Sequence, residues 1–77
     1  MAIRNQHSRQ SRNYIIETIN GVRFYIKAAT YQSKSLIYQA KNNIENGKLN
    51  IPNDLINSGK TILIICEGKG NYQFSLI

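Results

Sequence analysis

Between Tyr14 and Ala28 two runs of alternating apolar and polar residues meet at Asn20-Gly21. Both residues of that pair tolerate positive φ, so the dipeptide closes a type I′ turn whose twist suits the strands on either side. Folding about it pairs Ile19 with Val22, Glu17 with Phe24 and Ile15 with Ile26 on one face. Thr18 with Arg23, Ile16 with Tyr25 and Tyr14 with Lys27 then share the other. The first face, with Ile15, Ile19, Val22, Phe24 and Ile26, is core. Glu17 is the one charge on it and is read as a strand-edge carboxylate leaning into water.

Glycines punctuate the rest of the chain. Gly21, Gly47, Gly59, Gly68 and Gly70 all fall between apolar segments and none inside one, the distribution of turn residues in a β protein. Lys60 to Cys66 is the most apolar segment, with Ile62, Ile64 and Cys66 on one face and Thr61, Leu63 and Ile65 on the other. It reads as a central strand covered on both faces. Glu67 to Asn71 turns the chain into a last strand, in which Tyr72, Phe74 and Leu76 alternate with Gln73, Ser75 and Ile77. Lys48 to Ile51 is a further alternating run that Pro52 ends, and Asn53 to Gly59 reads as a single helical turn or a loop with Leu55 tucked inward.

Residues 33 to 46, SKSLIYQAKNNIEN, carry two patterns at once. Leu36, Ile37, Ala40 and Ile44 suit an amphipathic helix that Ser33 caps and Gly47 follows, whereas Leu36, Tyr38 and Ala40 against Ile37, Gln39 and Lys41 suit a strand. Asn42 and Asn43 are weak helix formers and good turn residues, so strands joined by a polar turn are preferred here. The fold expected is therefore mainly β: a small antiparallel sandwich of residues 13–77 behind a basic extended arm, residues 1–12. An α+β fold with a helix at 33–46 is the alternative.

Seventy-seven residues make one domain near the lower end of what a core alone can hold together. The single cysteine, Cys66, leaves no internal disulfide, and no apolar run approaches the roughly 20 residues that span a bilayer. The first fifteen residues are polar and basic and lack the apolar stretch of a secretory signal, so synthesis in the cytoplasm is expected. Ten Lys and Arg against four acids give a net charge of +6, which favours an anionic partner. Arg4, Arg9 and Arg12 lie in the arm with His7, leaving seven basic and four acidic residues for the domain, an ordinary mixed surface.

The inventory for catalysis is thin. His7 lies in the arm, Cys66 in an apolar strand without a cationic neighbour, and the acids are scattered singly, so no catalytic, cofactor or metal residue is assigned. Gly68-Lys69-Gly70 leads into a strand and not into a helix N-terminus, so it reads as a hairpin turn and not a phosphate loop. Five tyrosines and two phenylalanines stand among the basic residues, and Tyr25, with Arg23 and Lys27, lies on the outer face of the first hairpin. That is where a stacking platform for single-stranded nucleic acid would form, against the plainer reading of half-buried rim tyrosines.

Two resemblances arise from overlapping residues. An early hairpin, an Asn-Gly turn, Leu49-Asn50-Ile51-Pro52, a short crossing over Asn53 to Gly59 and a final hairpin resemble small immunoglobulin-like sandwich modules of tailed-phage structural proteins, over about residues 13 to 77. Gly47-Lys48-Leu49-Asn50-Ile51-Pro52, Leu55 and Gly59 to Ile64 resemble the AbrB-type swapped-hairpin DNA-binding domain over residues 34 to 77. The first implies a non-enzymatic subunit of a larger assembly, such as a virion's capsid decoration, neck or baseplate, with other protein subunits as partners. The second implies a dimer that touches DNA, with Lys41 and Lys48 at the matching basic positions. Arg4, Arg9, Arg12, Arg23, Tyr25, Lys27, Lys41 and Lys48 are thus the candidate contacts to a partner or to nucleic acid.

Overall fold

The computed structural model describes residues 14–29 and 34–77. Four strands, β1 (Tyr14–Ile19), β2 (Val22–Ala28), β3 (Ile62–Gly68) and β4 (Asn71–Leu76), form one sheet in that spatial order. Helix α1 (Lys34–Glu45) and the single turn α2 (Asn53–Ile56) lie between β2 and β3. None of the helices is long and apolar enough to cross a membrane, among the described residues.

The first hairpin has the register its sequence dictates, with Ile19 opposite Val22, Glu17 opposite Phe24 and Tyr14 opposite Lys27. Asn20 and Gly21 take φ of 53° and 82°, the left-handed pair a type I′ turn needs. The second hairpin, β3 to β4, turns through Lys69 (φ 57°) and Gly70 (φ 78°), after a register irregularity between Cys66 and Gly68 that takes up Glu67 as an extra residue. Gly68-Lys69-Gly70 is thus part of a hairpin connection.

Between the hairpins the fold departs from expectation. β2 and β3 run parallel, Phe24 opposite Ile62 and Ala28 opposite Cys66. A parallel pair cannot be closed by a tight turn and needs a crossover of a dozen or more residues, which α1 supplies. Residues 34 to 45 are accordingly one helix and not two strands. Ile37, Ala40 and Ile44 are buried, a stripe at i, i+3 and i+7, while Tyr38, which a strand would have shared with Leu36 and Ala40, is 49% exposed. The helix ends in a Schellman arrangement: the Gly47 N–H donates to the Ile44 carbonyl (3.1 Å) and the Lys48 N–H to the Asn43 carbonyl (2.7 Å). That geometry needs a left-handed residue at position 47, and Gly47 has φ 69°. Ser33, the expected cap, lies outside the described residues, as do Asn13 and the arm.

Two more expectations are corrected. Lys48 to Ile51 is not a strand, because Leu49 and Ile51 turn onto the core from an irregular segment that pairs with nothing regular. The expected β-rich fold is present as a single four-stranded mixed sheet, but no second sheet packs on it among the described residues: helix α1 lies across the sheet where an immunoglobulin-like antiparallel sandwich was expected. The core is a single layer between sheet and helix: Ile19, Phe24, Ile26, Ala28, Ile62, Ile64 and Cys66 from the strands against Ile37, Ala40 and Ile44.

Candidate functional site

Every buried residue of the sheet lies on the face that meets α1. Alternation sends the remaining side chains to the opposite face, and no described element covers it. The register builds that face row by row. Across its middle run Ile16, Tyr25, Leu63 and Ser75; beside them run Tyr14, Lys27, Ile65 and Gln73, and on the other flank Thr18 stands next to Arg23. β3, expected to be covered on both sides, is covered on one: Ile62 and Ile64 are wholly buried while Leu63 and Ile65 are half-buried.

The surface is apolar at its centre and cationic at its margins. Ile16 is 44% exposed and Tyr25 half-buried, and the rings of Tyr14 and Tyr25 stack diagonally at 4.9 Å between centroids and 26° between planes. Arg23 and Lys27 are exposed on either side of Tyr25 along the same strand. At the Arg23 end a cleft of about 180 Å³, lined by Gly21, Val22, Arg23, Ile56, Gly59, Lys60 and Thr61, brings Lys60 near Arg23. One acid adjoins the face: Glu67, whose carboxylate accepts a hydrogen bond from Gln73 Nε2.

Of the candidate contacts, Arg23, Tyr25 and Lys27 share this face. Lys41 does not. It lies on α1, and its Nζ is 3.8 Å from Glu17 Oε2, with the two side chains 26% and 40% exposed. So loose and wet a pair contributes at most about 1 kcal/mol. It accounts for Glu17 on the core face: the carboxylate leans out at edge strand β1 and meets a helical lysine. Lys48 lies beyond α1, beside β4. Arg4, Arg9, Arg12 and His7 fall outside the described residues. Leu63 and Ile65 belong to the face and were missed, because their segment read as doubly buried.

Cys66 is the one nucleophilic side chain in the core, and burial pushes its thiol from 9.0 up to about 11. A thiol held protonated at neutral pH is a poor nucleophile and behaves as a small apolar residue. Between pH 9 and 11 the unfolded chain has released this proton while the folded one keeps it, so rising pH favours unfolding in that window. Stability is expected to carry its full Cys66 contribution below pH 9 and to lose roughly 2 kcal/mol of it by pH 11. Urea midpoints across that range, compared with Cys66→Ala, check this; parallel pH profiles for the two proteins would refute it. Among the described residues, no group of three His, Cys, Asp or Glu side chains is placed to hold a metal ion.

The fold and this surface define a small α+β module with one sheet face covered by a helix and the other uncovered by described residues. Compared with protein-family models, curated proteins and solved structures, the chain gives no significant match.

Proposed function

We propose that the protein is a non-enzymatic binding module that takes single-stranded nucleic acid on the uncovered face of its sheet. One observation carries the reading: Arg23, Tyr25 and Lys27 stand side by side on that face, with Ile16 and Leu63 flanking the tyrosine. Unstacked bases lose their apolar contacts with one another and recover them on a flat aromatic and aliphatic surface, while cations at the margins meet the phosphates. A net charge of +6 acts in the same direction. Duplex readout needs an element that enters a groove, and this face presents none. Two copies packed through the face would bring Arg23 and Lys27 of one toward those of the other, so an anionic partner suits it better than a second copy.

Titrating the full chain against a labelled oligothymidine and a duplex of equal length, at two salt concentrations, tests the proposal. Preference for the single strand is expected, with log affinity falling by about 0.7 per phosphate contact for each decade of salt. Absence of binding at low salt, or equal affinity for duplex, would refute it.

A second reading, a small protein subunit of a larger assembly, is favoured by a separate feature, the outer edge of β4.

A further inference from the structure

Strand β4 forms one edge of the sheet, and its hydrogen-bonding pattern shows what that edge offers. The Ile77 N–H donates to the Thr61 carbonyl at 3.0 Å, so these two residues form a hydrogen-bonded pair of the antiparallel β3–β4 ladder. Such pairs alternate along a ladder. Ser75 with Leu63 and Gln73 with Ile65 are therefore the next bonded pairs, and Tyr72, Phe74 and Leu76 turn their own N–H and carbonyl groups outward. No described group meets them.

Sheet edges in monomeric proteins are protected by charges, proline, bulges or a covering element. Among the described residues, β4 has none of these. Asn71–Leu76 contains no charged residue and no proline, and its register with β3 is regular from Tyr72 to Leu76. The edge also has room for a second strand at both of its ends. On its helix side, at the Tyr72 end, lies an open groove of about 390 Å³ whose exposed lining is mostly polar, with Lys48, Asn50 and Asn71 beside Leu49, Tyr72 and Phe74. At the other end of the same strand and on the same side of the sheet, Leu76 is 38% exposed.

We infer that the chain dimerises by pairing β4 with β4 of a second copy, antiparallel about a two-fold axis at Phe74. In this register Phe74 faces its own counterpart and each Tyr72 faces the other copy's Leu76, so that residues with outward backbone groups meet one another. The three pairings close six N–H to carbonyl bonds and seat Leu76 of each copy at the groove of the other. The interface is isologous and closes on itself, which limits assembly to two. It leaves the face bearing Arg23, Tyr25 and Lys27 free on both copies and aligns the two faces as one eight-stranded surface. This inference does not depend on the nucleic-acid reading.

Sedimentation of the full chain over a concentration series, with amide hydrogen exchange by NMR, tests it. The expected result is a species of twice the monomer mass in which the Tyr72, Phe74 and Leu76 amides are protected. Leu76→Lys, at a position outside the buried core, is expected to give a folded monomer in which those amides exchange rapidly while Gln73 and Ser75 stay protected. A wild-type chain that is monomeric at every concentration would overturn the inference. So would a dimer whose Tyr72, Phe74 and Leu76 amides exchange as freely as an exposed loop. If Leu76→Lys fails to fold, the exchange pattern of the wild-type chain decides by itself.

Discussion

Ile64→Ala is expected to destabilise the protein by about 2–5 kcal/mol, against less than about 1 kcal/mol for Ile65→Ala one residue further on. The two isoleucines are chemically identical and adjacent. Ile64 has no exposed surface and lies between Ile26 and Phe74 in the sheet, under the helix residues that complete the core. Truncating it removes its own transfer free energy and leaves a cavity that a helix packed on a sheet cannot close. Ile65 lies on the uncovered face, half-buried among neighbours already in contact with water. For a 77-residue domain the whole free energy of unfolding is about 4–12 kcal/mol, so the first substitution removes a large share of it. Urea midpoints at unchanged slope would show the difference directly. Equal shifts for the two variants would mean that α1 does not distinguish the two faces, and the architecture would have to be revised.

The second large effect concerns binding. Tyr25→Ala is expected to weaken oligothymidine binding by roughly 5- to 150-fold, the equivalent of one lost base–aromatic stack at about 1–3 kcal/mol. Tyr25→Phe keeps the ring and should change affinity little. Arg23→Ala and Lys27→Ala should each reduce the salt slope by about 0.7, because each removes one phosphate contact. Lys41→Ala and Lys48→Ala, on the helix side of the sheet, should leave both affinity and slope unchanged, as should Tyr38→Ala on the exposed side of α1. The pattern separates a local surface from general attraction by net charge: similar losses for Lys27→Ala and Lys48→Ala would refute the uncovered face as the site. Tyr25 also contacts Tyr14 and neighbours Ile16, so urea midpoints of the variants must accompany the titrations.

The first hairpin was legible in full because two local signals agree there, a two-residue period and a dipeptide that tolerates left-handed backbone. Arg23, Tyr25 and Lys27 were legible as a group for the same reason. In a strand, position modulo two decides the face, and no distant residue can alter it. The last hairpin and the one-turn helix after Pro52 follow from glycine and proline chemistry equally local. Residues 34 to 45 were not legible in this way. Their apolar positions satisfy both periods, and Asn42 and Asn43 weigh against a helix on propensity alone. Stacking Ile37, Ala40 and Ile44 on the sheet outweighs that propensity, and only a crossover of this length allows β2 and β3 to lie parallel.

Lys41 shows the same division at the level of a single side chain. In the strand pattern it would have shared a face with Ile37 and Gln39; on α1 it reaches Glu17 instead and lies apart from the face that bears Arg23, Tyr25 and Lys27. Leu63 and Ile65 moved the other way, from a face assumed buried onto the surface proposed to bind, because the chain supplies a cover for one side of the sheet only among the described residues. Alternation, turn chemistry and the existence of the apolar strand β3 were therefore determined by the sequence itself, since each depends on residues within a few positions of one another. The helix, the parallel pairing, the uncovered face and the open edge of β4 were decided by the tertiary structure, because each depends on which distant segment lies alongside.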